Sequence, residues 1–148
     1  MLKKFSKTMD RARDAYTNQQ WQVAFEEYGE ASEILPTWHE VHVFFERRCR
    51  AMVELKNPKE AIVECNRAIG ISDDLYEAHL FKGEALLLDD DPDAAYREFS
   101  RARTINQHDR RAMEALKRTE RLQKMKSRKD YYKILGAFGR NVAWRRRH

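Results

Sequence analysis

The fold of this protein is decided by the segment Pro92-Asp-Ala-Ala95-Tyr-Arg-Glu-Phe99-Ser-Arg-Ala102-Arg-Thr-Ile105, the third copy of one pattern. The earlier copies are residues 21–34 and 58–71, so successive copies begin 37 and 34 residues apart. A repeat of this length is typical of helical arrays. The copies agree in four columns: Ala24, Ala61 and Ala95; Tyr28, Cys65 and Phe99; Ala31, Ala68 and Ala102; Ile34, Ile71 and Ile105.

Each copy has the spacing of an amphipathic helix, because its small and apolar residues recur at intervals of three, four and seven. Asn57-Pro58 and Asp91-Pro92 are helix-start signals, since each places a capping side chain before a proline at the first helical position. The alanines allow two paired helices to cross closely. We therefore predict that each copy is the second helix of an antiparallel pair, with first helices at about 5–18, 39–55 and 76–88.

The composition excludes most other fold classes. With 148 residues, five Gly and three Pro, the chain has too few turn-forming residues for a sandwich or a barrel, which leaves an all-α fold. No apolar stretch approaches the roughly 18 to 20 residues of a membrane-spanning helix, so we expect no membrane partner. Residues 1–7 are basic but precede no apolar run, which is not the pattern of a secretory signal peptide. If the natural protein is secreted, this chain would be an internal segment of it.

The repeat resembles the tetratricopeptide repeat (TPR). The second helix of that family carries small, aromatic, small and apolar residues, which here are Ala95, Phe99, Ala102 and Ile105, and the small position of the first helix is Ala12, Cys49 or Gly83. The resemblance implies a right-handed α-solenoid of helical hairpins: TPR 1 at 1–37, TPR 2 at 38–73 and TPR 3 at 74–108. A capping helix at 109–128 would cover the last repeat through Met113, Leu116, Thr119, Leu122 and Met125.

The next segment resembles the first residues of a J domain, the module through which DnaJ-type co-chaperones stimulate Hsp70 ATPases. Its motif residues are Asp130, Tyr131, Tyr132, Leu135 and Gly136. TPRs, a charged helix and a J-domain start, in this order, resemble the TPR-containing DnaJ co-chaperones of the endoplasmic reticulum lumen, the family of the cellular inhibitor of the interferon-induced protein kinase. A J domain also needs a His-Pro-Asp loop, and no proline follows Pro92. We therefore expect residues 129–148 to be a truncated J-domain start and a basic tail, the product of a splice form, a misread gene or a fragment boundary.

Cys49 and Cys65 lie equidistant from Asn57, in the predicted turn of the second helix pair. Residues equidistant from the turn of an antiparallel hairpin sit at the same height, and a disulfide requires Cα atoms about 4.4 to 6.8 Å apart. From the residues alone, two reduced core thiols remain an alternative. The resemblance to the luminal family implies a disulfide at this pair and hence an oxidising compartment, the endoplasmic reticulum lumen, with the cytoplasm as the alternative.

The first helices of a TPR array line its concave surface, where the family binds polypeptide segments. Adaptors of cytosolic Hsp90 and Hsp70 hold a carboxylate there with Lys and Asn, and the matching positions of this chain lack that clamp. Val43, Val53, Leu80, Phe81, Leu87 and Leu88 instead suggest an apolar strip for an unfolded segment, or residues that only pack between helices. The whole candidate surface is Met9, Arg13, Tyr16, Val43, Glu46, Arg47, Arg50, Val53, Leu80, Phe81, Glu84, Leu87 and Leu88.

The sequence does not predict a metal, catalytic or nucleic-acid site. His39 and His42 lack a third metal ligand, and the acidic run 89–93 is explained by the turn and the cap at Asp91, so we expect no metal and no cofactor. No catalytic triad, phosphate loop or paired catalytic carboxylate is discernible, which argues against an enzyme. The net charge of +5 divides into +11 for residues 110–148 and −6 for the rest. Such a basic stretch, with Tyr131, Tyr132 and Trp144, suits RNA phosphates and bases, but is more often a solubilising helix or a linker, so we do not expect nucleic acid.

These observations lead to one functional expectation and two alternatives. The resemblance implies a non-catalytic interaction module of a DnaJ-type co-chaperone that binds or positions unfolded or misfolded polypeptides for luminal Hsp70. It implies contact with Hsp70 only through a J domain that this chain lacks, and a protein kinase as a further partner. Because client binding in that family is attributed chiefly to the N-terminal repeats, the three repeats of this chain would alternatively act as a spacer. A cytosolic TPR adaptor is the first alternative function, and RNA binding the second.

Overall fold

The computed structural model describes residues 2–139, and this part of the chain consists of seven α-helices and no strand. Consecutive helices pair as antiparallel hairpins, each hairpin packs on the next, and the last helix packs on the third hairpin. The predicted all-α TPR array is confirmed. The helices are α1 (Leu2–Thr17), α2 (Trp21–Ile34), α3 (Val41–Glu54), α4 (Pro58–Ile71), α5 (Tyr76–Leu88), α6 (Pro92–Ile105) and α7 (Arg110–Gly139).

The turn inside each hairpin repeats one backbone conformation. Gln19, Lys56 and Asp90 have φ values of 60°, 59° and 59°, in the left-handed region, at the same place in the three copies. In each turn the amide of the next residue donates to a carbonyl five residues back, as from Asn57 to Met52 at 2.9 Å. This is the Schellman ending of a helix, which usually has glycine at the left-handed position. Because none of the three residues is glycine, the sequence did not reveal the motif.

Two predicted helix starts are confirmed. The Asn57 side chain accepts a hydrogen bond from the Glu60 amide, and Asp91 accepts one from the Ala94 amide at 3.2 Å. The third helix begins at Val41, two residues later than predicted. The reason is Trp38, whose ring lies 5.2 Å from the ring of Phe5 and holds the connection in a turn against the first hairpin.

The second helices bury three of the four repeated columns. The six alanines are fully buried, as are Tyr28, Cys65 and Phe99. The isoleucine column differs, since Ile34 is half-buried, Ile71 is 51% exposed and Ile105 is 36% exposed. These isoleucines end their helices, where the next hairpin no longer covers the side chain. On the first helices, Ala12, Cys49 and Gly83 are buried at the small position, as predicted.

The last helix differs from its prediction in its buried face and in its length. Its buried residues are Ala112, Ala115, Leu116 and Thr119, whereas Met113 and Leu122 are more than one-third exposed and Met125 is 62% exposed. Because an α-helix has 3.6 residues per turn, residues spaced strictly three apart are displaced a little further around the helix at each step. The five predicted residues therefore cannot all lie on one face. The helix continues past the predicted boundary at 128, through the J-domain motif, to Gly139. Residues 140–148, which include most of the predicted basic tail, lie outside the described residues.

Candidate protein-binding surface

Arg50 is at the centre of the concave surface and joins the three repeats. It donates a hydrogen bond from Nη1 to the Tyr16 hydroxyl at 3.0 Å, which links α3 to α1. Its guanidinium carbon lies 5.4 Å from the centre of the Tyr16 ring, 5.3 Å from that of Trp21 and 5.3 Å from that of Phe81. Such cation–π contacts are attractive, and Arg50 is therefore held inside an aromatic cage.

Arg47 is fixed in a similar way one turn earlier on α3. Its guanidinium lies 5.0 Å from the Tyr16 ring centre and 5.6 Å from that of Tyr28, and it donates a hydrogen bond to the Tyr28 hydroxyl. Burial raises the pKa of Tyr16, so this phenol stays protonated at neutral pH. Both arginines are thus bound to aromatic residues of the first repeat.

The other end of the surface is covered by α7, through two ion pairs that span one repeat length. Arg111 pairs with Glu77, and Arg118 pairs with Glu84. Each pair joins residues 34 positions apart, the same step that joins Arg50 to Tyr16. Opposite charges at this step were visible in the sequence but were not used in predicting the surface.

The predicted surface residues divide into three groups. Tyr16, Arg47, Arg50 and Phe81 are brought together around the aromatic cage, and Arg13, Val43 and Glu46 are half-buried or exposed on the same first helices. Glu84 is paired with α7, while Leu87 and Leu88 lie at the end of α5. The third group is buried in three separate cores and comprises Met9, Val53 and Leu80. Val53, Leu80 and Phe81 of the predicted apolar strip are all buried. These three residues therefore pack between helices and are not accessible to a ligand.

Glu46 is the unusual charge of this surface. It is half-buried, and among the residues that the structure describes it forms no hydrogen bond or ion pair. Burial is the main reason why its pKa rises from 4.5 to about 7, and the nearby carboxylate of Glu77 raises it further, against the opposing effect of Arg47. Glu46 was predicted to lie on the surface, but its protonation behaviour depends on its surroundings.

The cysteines are placed as the hairpin symmetry suggested. Cys49 and Cys65 are fully buried between α3 and α4, with Cα atoms 5.1 Å apart and sulfur atoms 1.94 Å apart, at bonding distance. They lie in the core of the second repeat together with Met52, Ala61 and Phe81. The pair therefore cross-links one hairpin and shares its core with Val53 and Phe81 of the predicted surface.

Two buried polar clusters were not predicted. Arg48 donates from Nε and Nη2 to both carboxylate oxygens of Glu64 at 3.0 Å, and from Nη1 to the Phe25 carbonyl at 2.8 Å, which joins α2, α3 and α4. His79 lies with Nδ1 2.8 Å from Glu98 and donates from Nε2 to the Asp73 carbonyl at 2.9 Å. The Arg48 cluster connects neighbouring hairpins, whereas the His79 cluster lies within the third hairpin and the turn before it, beside a cavity that Asp73, Asp74 and Arg101 also line.

The remaining candidates are the two histidines near the start of α3 and the J-domain motif of α7. His39 is exposed and His42 half-buried, and within residues 2–139 no group of three His, Cys, Asp or Glu side chains could hold a metal ion. The J-domain motif residues Asp130, Tyr131, Tyr132 and Leu135 are exposed on α7. No helix in the described part of the chain is both long and apolar enough to cross a membrane.

Comparison with known proteins agrees with this architecture. No protein-family model matches the chain. A DnaJ protein P58IPK homologue of Arabidopsis thaliana is 36% identical over 137 residues, 91% of this chain and 28% of the relative. The DnaJ homolog subfamily C member 3 homolog of Dictyostelium discoideum is 30% identical over 137 residues, 91% of this chain and 27% of the relative. Over this region the chain is a homologue of P58IPK.

Solved structures place the similarity in the TPR part of P58IPK. The crystal structure of the P58IPK TPR domain superimposes with a TM-score of 0.77 and 25% identity, over 84% of this chain and 35% of that chain. The TPR2B domain of yeast Sti1, solved as a complex with pHsp70, gives a TM-score of 0.71 at 21% identity, over 80% of this chain and 97% of that chain, which shows the fold alone. The chain spans less than a third of the length of the P58IPK relatives. These similarities support a protein-interaction role of the kind that TPR co-chaperones have.

Proposed function

We propose that this chain is a non-catalytic module of a DnaJ-type co-chaperone that binds unfolded polypeptide on its concave surface and positions it for luminal Hsp70. The observation that carries the proposal is the continuous surface formed by α1, α3 and α5, in which Arg50 joins all three repeats. Half-exposed Tyr16 and Val43 on this surface offer aromatic and aliphatic contacts. A protein kinase is a second candidate partner, on the P58IPK homology alone.

The charges of the surface favour an unfolded segment over a C-terminal carboxylate. Glu46 and Glu84 place carboxylates on this surface, whose matching positions lack the Lys and Asn clamp of cytosolic adaptors. A carboxylate ligand would meet like charges there, which is unfavourable in a partly desolvated groove. This charge distribution argues against the alternative of a cytosolic Hsp70 or Hsp90 adaptor.

The cysteine pair supports a luminal location. A disulfide between Cys49 and Cys65, fully buried in the second repeat, would persist in an oxidising compartment and would be rare in the cytosol. We propose the endoplasmic reticulum lumen as the compartment.

Polypeptide binding is tested by fluorescence anisotropy with a labelled, permanently unfolded protein such as reduced, carboxymethylated lactalbumin. We expect saturable binding that unlabelled unfolded protein competes away and that native lactalbumin does not. Val43→Asp should weaken binding at least fivefold, because it places a charge on the concave surface. Val63→Asp is the matched control, since Val63 is exposed on α4, outside the surface, and should leave the affinity unchanged. Equal affinities of both variants and the wild type would refute the proposed surface.

A further inference from the structure

Four arginines of α3 and α7 that lie at the concave surface are already engaged within the chain. Arg50 is enclosed by three aromatic rings and Arg47 by two, while Arg111 and Arg118 are paired with Glu77 and Glu84. A cation that is held by a hydrogen bond and by ring faces would lose those contacts if it turned to another partner. These four side chains therefore have partners other than Glu46.

Glu46 is a carboxylate of this surface that forms no ion pair with these arginines. It lies one turn before Arg50 on α3, and the equivalent positions of the neighbouring first helices are Met9 and Leu80, both apolar and buried. Partial burial removes water from the Glu46 carboxylate, and no hydrogen bond within the described residues replaces it. The raised pKa of Glu46 is the consequence. A partly buried carboxylate without a partner is costly, and an external cation would offset that cost.

We propose that Glu46 is the docking point for a lysine or arginine side chain of the polypeptide that the concave surface binds. This inference rests on the proposed function and specifies its ligand: an extended segment with a basic residue between apolar ones. The basic side chain reaches Glu46 between Val43 and Glu77, while the flanking apolar residues contact Val43 and the exposed edge of Tyr16. Charge complementarity is the reason for this choice of occupant, since Glu46 has no ion-pair partner among the described residues and the nearby carboxylate of Glu77 adds negative charge beside it.

The experiment compares three labelled, unstructured peptides that differ only in a central Lys, Gln or Glu flanked by apolar residues. Wild-type protein should bind the Lys peptide about tenfold more tightly than the Gln peptide, in the range of a charge-assisted hydrogen bond, and the Glu peptide more weakly still. Glu46→Gln should abolish the preference for Lys over Gln. Glu33→Gln is the matched control, because Glu33 is exposed on α2 without an ion pair among the described residues and changes the net charge equally. This control should keep the full preference.

A second measurement locates the contact without a variant. Carbodiimide coupling joins a carboxyl to an amine that touches it, and mass spectrometry of the coupled Lys peptide should identify Glu46. Coupling confined to Glu77, Glu84 or other carboxylates would overturn the inference, as would equal affinity for the Lys and Gln peptides. If the wild type binds none of the peptides but still binds unfolded lactalbumin, this inference fails and the proposed function stands. If it binds neither, both fail.

Discussion

Gly83→Ala tests the closeness of the helix crossing on which the repeat depends. A Cβ atom built at Gly83 would lie 2.5, 2.7 and 2.8 Å from three carbons of the Phe99 ring, closer than non-bonded carbons pack. Phe99 is fully buried, so its ring cannot swing into solvent. Overpacking of a core typically costs about 1 to 3 kcal/mol, and exchanging glycine for alanine inside a helix returns up to about 1 kcal/mol. We expect a net loss of about 1 to 2 kcal/mol in the free energy of unfolding.

The matched control is Gly70→Ala, because a Cβ at Gly70, in the last turn of α4, would meet nothing within 4 Å. This variant should gain a few tenths of a kcal/mol from helix propensity. Urea denaturation followed by circular dichroism at 222 nm measures both variants against the wild type. Combining Gly83→Ala with Phe99→Leu should recover part of the loss, giving a coupling energy above about 0.5 kcal/mol. A Gly83→Ala protein that is as stable as the Gly70→Ala protein would refute the close contact of α5 and α6.

Three further predictions concern charge and redox state. Glu46→Gln should stabilise the protein at pH 8 by about 1 to 2 kcal/mol and leave its stability at pH 4 unchanged. The reason is that the pKa of Glu46 is raised from 4.5 to about 7 in the folded protein, so ionisation of this carboxyl destabilises the fold as the pH rises through that window. The loss would be up to about 3 kcal/mol before solvent screening reduces it. Thermal melts at the two pH values measure this, and equal shifts at both would contradict it. The hydrogen bond with Glu98 raises the pKa of His79 above 6.5, so the stabilisation from the His79–Glu98 pair is complete below pH 6.5 and is lost as the pH rises through the folded pKa. His79→Gln should flatten that part of the pH profile of urea midpoints. An unchanged slope would exclude a contribution of His79 to the pH dependence of stability. Reduction of the Cys49–Cys65 pair should lower the free energy of unfolding by roughly 3 kcal/mol, and a double Cys→Ala variant should show no response to reductant.

The sequence predicted the hairpin array because the repeated residues are the ones on which helix packing depends. Alanine columns, a buried aromatic residue and Asn-Pro or Asp-Pro caps each have one physical role, and their recurrence fixes both helix type and pairing. The left-handed turns at Gln19, Lys56 and Asp90 could not be found in this way, since glycine, the usual residue at such a position, occupies none of the three. The extension of α7 was missed because the resemblance to a J domain suggested a boundary, whereas residues 120–135 contain no helix breaker.

The candidate surface was less predictable than the fold. The repeat register predicts which residues belong to the first helices, but it does not predict how exposed their side chains are. Val53 and Leu80 are buried, whereas Val43 stays accessible. The state of Glu46 depends on burial between two neighbouring repeats, which no single copy of the motif shows. Pairing of charges at the repeat step, as in Glu77 with Arg111, is the signal that would have improved the prediction.

The central claim, that unfolded polypeptide binds along the first helices, is tested most directly by a nuclear magnetic resonance titration of this 17.7 kDa chain with unlabelled, unfolded lactalbumin. We predict that the backbone amide signals which shift or broaden at low saturation belong to α1, α3 and α5, around Tyr16, Val43 and Glu46, while the outward-facing residues of α2, α4 and α6 are unaffected. Perturbations confined to α7 or to the second helices would contradict the account.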